Sequence, residues 1–308
     1  MIIDNITPLR LLSDEVLSSE LTIFPSAPFT ITNPKFGTTI SGDQEFFGSN
    51  SSSSAIITYY MQKRHVFGDM SIEIYNSSGE LIKTLPAGKN KGINIVNWPI
   101  RKKPPKVKAS SVTLAFRTAF GPTFPPGEYT VKIKKGDKSY EGKITLQTDT
   151  EAGHSKEDMK LQYETLNQSY TLLENISFTD KQATDLAEKL KSIKGKIKEE
   201  QLAKKLNALT GRLEAMHKEL VATNPNRISG EIKLAEKVSD IYSGIINYSG
   251  KPTNSQIKQL NLLEGVYLNY KNEMDKILNE QLAEINTELK NIGFAEIKVI
   301  TREEYDKN

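Results

Sequence analysis

Cysteine is absent from all 308 residues. That removes disulfides, thiolate nucleophiles and cysteine-ligated zinc together. Histidine occurs three times, as His65, His154 and His217, far apart in sequence. Metal ligands need convergent spacing on one helix or hairpin, so no metal site is expected, and no cofactor either. Tryptophan occurs once, as Trp98. No apolar run approaches the roughly 18–20 residues that span a bilayer, so no membrane insertion is expected. The net charge of +3 is too small to point to nucleic acid. The opening Met1-Ile2-Ile3-Asp4-Asn5 lacks the basic and apolar stretches of a signal peptide. No Gly-x-Ser-x-Gly elbow, Walker loop or dinucleotide fingerprint is present.

What is present is a change of texture near residue 150. Before it the sequence alternates in twos between Gly, Pro, Ser and Asn punctuation. After it apolar residues recur every three or four positions among Lys, Glu and Gln. A hydrophobic content of 37% and a charged content of 26% suit globular domains, and the length suits two of them. The expectation is a multidomain β + α chain.

In the first part, Leu21–Phe24, Phe29–Thr32 and Ala55–Met61 are short β-branched or aromatic runs that predict strands. Met70–Tyr75 alternates, Asn76-Ser77-Ser78-Gly79 turns, and Glu80–Leu85 returns, which predicts a hairpin. Ile93–Trp98, Ser111–Phe116, Glu128–Ile133 and Lys138–Leu146 predict further strands. Pro104 and Pro105 keep the basic segment Arg101–Lys108 out of any central strand. This spacing argues for an antiparallel β-sandwich of immunoglobulin type over 20–150.

In the second part, Ser155 is a fitting N-cap, followed by Met159, Tyr163, Leu166, Tyr170 and Leu173 as one helical stripe. Thr179-Asp180 reads as the start of a second helix, with a shift of register near 198–201. A third helix covers about 231–248 and a fourth runs from Thr253 or Asn254 to Gly293. The expectation is a four-helix up-down bundle over 153–293 and a C-terminal tail over 294–308, in which Phe294–Ile300 adds a strand or docks and the last residues are charged and frayed.

Residues 70–98 and 125–146 resemble the immunoglobulin-like module of flagellar hook-capping proteins and many bacterial surface proteins. The carriers are "SIEIYNSSGELIKTL", a Gly-Ile-Asn strand ending in Trp98, and "PPGEYTVKI". Over nearly the whole chain, "IIDNITPLR" (2–10), "LTIFP" (21–25), "AIITYY" (55–60), "GINIVNWPIR" (92–101), "FPPGEYTVKI" (124–133) and "KPTNSQ" (251–256) follow in order. That series resembles the C-terminal region of bacterial sortilin-like (VPS10/BNR-repeat) β-propeller proteins, often labelled glycosyl hydrolases. Pro99 departs from it where an acidic residue is expected after Trp98. The propeller itself is missing, since no Ser-x-Asp-x-Gly-x-x-Trp box occurs.

The resemblance implies an extracytoplasmic location, with residues 1–19 a stub or linker from a preceding propeller. It also implies a non-catalytic accessory role, packing on a propeller domain of the same or a neighbouring chain, or binding a glycan or surface protein. The alternative is part of a glycoside hydrolase whose active site lies in the propeller. A glycosidase needs two carboxylates across a cleft, and Asp43 and Glu45 stand together in one Gly/Ser loop instead. The candidate ligand or partner surface is aromatic and basic: Phe46, Phe47, Arg101, Lys102, Lys103, Phe120 and Phe124. The bland alternatives are a solvated basic loop and packing aromatics, Phe116 included.

Overall fold

A computed structural model describes residues 6–31, 54–108, 111–149, 153–223, 231–248 and 250–307. The architecture is mixed β and α, with two sheets followed by several helices. It divides into two compact units. One comprises Met1–Arg101 with Thr123–Gly153, and the other Lys102–Pro122 with His154–Asn308.

The first unit opens with two short helices, α1 (Thr7–Arg10) and α2 (Asp14–Ser18). Its strands are β1 (Leu21–Ile23), β2 (Phe29–Ile31), β3 (Ser54–Met61), β4 (Met70–Tyr75), β5 (Leu81–Pro86), β6 (Gly92–Pro99), β7 (Gly127–Lys135) and β8 (Lys138–Thr148). They form a three-stranded sheet in the order β1-β3-β6 and a five-stranded sheet in the order β2-β8-β7-β4-β5. The sheets are not wholly antiparallel as the sequence suggests, because β2 pairs with β8 in parallel. One hydrophobic core takes residues from both sheets, among them Ile57, Tyr59 and Trp98 from one and Ile72, Ile74, Val131 and Ile133 from the other.

Local chemistry explains the hairpins. Along β4 burial alternates residue by residue, which pins its register by exposing the wrong face on any one-residue slip. Asn76 Oδ1 accepts from the backbone N–H groups of Ser78 and Glu80, and Gly79 sits at φ +77°, where a side chain is disfavoured.

The second unit contains α3 (Val112–Arg117), α4 (Lys156–Lys194), α5 (Glu200–Leu220), α6 (Leu234–Ile246), α7 (Asn254–Lys276), a π-helical turn (Ile277–Gln281), α8 (Leu282–Asn291) and α9 (Arg302–Lys307). The stripe Leu202, Leu206, Leu209, Leu213, Met216 and Leu220 is the buried face of α5. Helix α4 packs with α5, α6 and α7 around a core that also holds Leu114 of α3.

Three expectations fail here. Ser111–Phe116 is not a strand. Ser111 Oγ accepts from the Leu114 N–H, capping α3, and of the alternating apolar residues only Leu114 is buried. No new helix begins at Thr179-Asp180. Both side chains are buried and occupied elsewhere, so neither caps, and α4 runs on to Lys194. The last residues are not frayed as far as 307, since Arg302–Lys307 form α9. Tyr305 of α9 is buried, with its ring 5.4 Å from Phe178 and its hydroxyl sharing a hydrogen bond with Ser177.

Candidate functional site

From Lys102 on, the basic, proline-interrupted segment after β6 belongs to the helical unit, and it is tied to α4 along its length, not left as a free loop. The Lys102 N–H donates to the Pro122 carbonyl at 2.8 Å, closing the base of the excursion. Lys102 Nζ donates to Asn167 Oδ1 at 2.6 Å and lies over the rings of Tyr163 and Tyr170. The Lys106 N–H reaches Glu174 Oε1, and the Lys108 N–H reaches Ser177 Oγ. Asn167, Glu174 and Ser177 lie seven and then three residues apart, so they share one face of α4. Further on, Ser111 Oγ donates to Glu236 Oε1 of α6, and Arg117 pairs with Asp240 at 2.7 Å.

Two acids of this unit are buried, Asp180 and Glu236. Glu236 accepts from the Lys233 N–H and so caps the start of α6. Asp180 accepts from Nδ1 of His217 on α5 at 2.5 Å. Burial pushes the Asp180 carboxyl above the ordinary carboxylate range, although the His217 hydrogen bond acts the other way. A carboxylate orienting an imidazole is half of a general-base arrangement. The other half is missing among the described residues, where Nε2 of His217 makes no hydrogen bond to any hydroxyl. The pair fastens α4 to α5.

A cleft of about 200 Å³ lies between α4, α7 and α9, lined by Asn175, Phe178, Tyr267, Lys271, Asp275 and Arg302 among others. Its charges already have partners. Lys271 pairs with Asp275 at 2.7 Å, while Arg302 reaches Asp306 and Asn175 and lies over the Phe178 ring. Among the described residues no three His, Asp or Glu side chains come together to hold a metal ion.

Of the residues singled out from sequence, some lie outside the described residues and the others are divided between the two units. Phe46, Phe47, Asp43 and Glu45 lie outside the described residues. Arg101, half-buried, bridges to Thr123 in the β unit. Lys102 is half-buried on α4, Lys103 is exposed, and Phe120 is 59% exposed, all three in the helical unit. Phe124 is no surface residue. It is buried 5.9 Å from Trp98 and 6.4 Å from Tyr129, ring centre to ring centre. Sequence reading missed Asp180, although a signal existed. It falls on the core-facing series Leu173, Ile176, Asp180, Ala183, Ala187, Leu190, an acid where an apolar residue belongs.

No protein-family model matches this chain, and neither does any curated protein.

Proposed function

We propose that this chain is a non-catalytic accessory region of an extracytoplasmic BNR/sortilin-like propeller protein, serving to pack on the propeller or to hold a glycan or protein partner. One observation carries the reading. Two of the motifs behind the resemblance, "GINIVNWPIR" and "FPPGEYTVKI", supply residues of the β-unit core. Trp98 of "GINIVNWPIR" packs edge-on against Tyr129 of "FPPGEYTVKI" at 5.2 Å, beside Phe124 of the same motif. That these motifs serve packing supports reading the resemblance as one of architecture, from which the accessory role is drawn.

The finer fold is part of the proposal. An immunoglobulin-like sandwich is supported by strand order, with β1, β3 and β6 in the places of A, B and E. β4, β7 and β8 then stand for C, F and G, with β5 as C′. Tyr129 Oη donates to the Pro125 carbonyl four residues upstream, as the tyrosine corner of such domains does. Two features depart from the antibody pattern: the tryptophan lies on β6, and no cysteine pair joins the sheets. A four-helix up-down bundle is supported by the succession α4, α5, α6 and α7–α8 around one core.

The test is hydrolysis of a glycan panel by the chain alone, with the N-terminal peptides of the protein purified from its own cells. No hydrolysis, and upstream peptides carrying Ser-x-Asp-x-Gly-x-x-Trp boxes, is the expected result. Hydrolysis abolished by changing one carboxylate would overturn it in favour of a glycoside hydrolase.

A further inference from the structure

The connection from β3 to β4, residues 62–69, joins the two sheets at one end of the β unit and carries an exposed ring at its tip. Phe67 is 87% exposed, and Val66 beside it is 63% exposed. The loop beneath them is tied down. The His65 N–H donates to the Lys89 carbonyl at 3.0 Å, and the Gly136 N–H donates to the Asp69 carbonyl at 3.2 Å. Gly68 turns the chain at φ +89°, and its carbonyl accepts from Lys89 Nζ and His65 Nε2, each at 3.2 Å. A fixed turn therefore holds an apolar tip in water. The carbonyl next to the ring already has its donors, as a polar group entering an apolar layer requires.

The tip stands among cations. Lys63 and Arg64 precede it, and Lys89 and Lys91 lie just before β6, all four exposed. The adjoining β7–β8 hairpin adds Lys135 and Lys138. Against these stand three carboxylates, Asp69, Asp137 and Glu20, of which Glu20 is bridged to both hairpin lysines.

We infer that this tip is a peripheral anchor on an anionic lipid surface, with Phe67 and Val66 entering the headgroup boundary and the flanking cations meeting the anionic headgroups. Apolar burial and nearby cations are the two contributions that hold a protein on such a surface. Size selects lipid over a protein partner. A phenylalanine and a valine offer on the order of 300 Å², against about 800 Å² per partner in a stable protein interface. A second copy meeting tip to tip would set cation on cation. The segment 32–53, outside the described residues, leaves at Ile31 and returns at Ser54. Those residues stand opposite Thr148 and Pro99, at the far ends of β8 and β6, whereas the tip lies between Met61, opposite Gly92, and Met70, opposite Lys135. The length of β3, about 23 Å, separates Ser54 from the tip. Among the described residues no helix is long and apolar enough to cross a membrane, so the contact is with a surface and involves no span. The sequence expectation of no insertion rests on missing apolar runs, which a surface contact does not need. The inference stands on the loop and does not depend on the proposed propeller context.

The test uses the full chain and vesicles of equal parts phosphatidylglycerol and phosphatidylcholine. The expected result is cosedimentation that falls as salt rises and is far weaker with phosphatidylcholine alone. Phe67→Ala, at a side chain outside the core, weakens it roughly tenfold or more. Arg64→Gln weakens it about fivefold. Phe67→Trp reports the site itself: its emission moves to the blue when anionic vesicles are added, over a constant background from buried Trp98. No binding, or binding that Phe67→Ala leaves unchanged, overturns the inference. So does Phe67→Trp emission that is already blue in the free chain and unmoved by vesicles, since the chain's own residues would then cover the tip. A soluble acidic polymer, polyglutamate or alginate, that shifts the emission as far as the vesicles do would make the occupant an acidic protein or glycan and equally overturn it.

Discussion

Asp180 of α4, 1% exposed, accepts a hydrogen bond from Nδ1 of His217 on α5 at 2.5 Å. Removing the imidazole strands a carboxylate in the core. His217→Ala should therefore cost about 3 kcal/mol at neutral pH, the low end of the range for a broken buried pair, since His217 is itself partly exposed. The carboxyl can escape by taking a proton, so the penalty should shrink as pH falls. Asp180→Asn keeps an acceptor for Nδ1–H without the buried charge and should cost less than His217→Ala. It should also remove a slope. A carboxyl raised in the folded state stabilises the fold fully below its ordinary value of 3.8 and loses that contribution as pH rises through its folded value. Urea unfolding of both variants across the acid range checks each point.

Much of the fold is legible in the sequence because its strands and helix stripes bury one face each. β4 and the stripe of α5 need only period two and period 3.6. What is not legible is settled by tertiary partners. Thr179-Asp180 looks like a cap until Tyr267 and His217 claim its side chains. Ser111–Phe116 alternates like a strand, yet a serine cap and one buried leucine make it a helix. The basic segment looks solvated because Asn167, Glu174 and Ser177, its partners on α4, lie more than sixty residues away in the chain. Phe124 looks like a surface aromatic because its chief partner, Trp98, lies on β6, and only the folded sheets bring the two rings together.

Glu20, just before β1, bridges Lys135 of β7 at 2.6 Å and Lys138 of β8 at 2.5 Å. The hydrogen bonds from Lys135, Lys138 and Tyr140, in that order of weight, hold its carboxyl down at about 2. The sign is opposite to that of Asp180. A depressed carboxylate stabilises the fold above its unfolded value of 4.5, and the contribution is lost as pH falls toward about 2. Glu20→Gln should flatten the acid limb of β-unit unfolding between those limits, and added salt should flatten it in the unmodified chain. An unchanged acid limb in the variant would count against the bridge.

Gly121 lies where the excursion of the helical unit closes on itself. A Cβ there would stand 2.2 Å from the Lys103 carbonyl oxygen and 2.3 Å from that of Lys102. Both obstacles are backbone, so no side chain can swing aside. Gly121→Ala should open the Lys102–Pro122 closure at a cost of about 2–4 kcal/mol. The local readout is proteolysis between Lys102 and Pro122, which should accelerate. Gly211, whose added Cβ meets nothing within 4 Å, is the control. On a helix Gly211→Ala should stabilise by up to about 1 kcal/mol.

Trp98 is fully buried, and among the described residues its Nε1–H has no hydrogen-bond partner. Its ring carries the contacts to Phe124 and Tyr129, so its aromatic body and its polar handle pull in opposite directions. An unsatisfied buried donor costs about 1–3 kcal/mol. Trp98→Ala discards the ring and should destabilise by about 3–5 kcal/mol. Trp98→Phe keeps an aromatic face, leaves a smaller void and removes the orphan donor, so its net cost should stay below about 1.5 kcal/mol. The comparison separates packing from polarity. If Trp98→Phe proves as damaging as Trp98→Ala, the indole N–H is making a bond that matters, and the core of this unit is not held by aromatic packing alone.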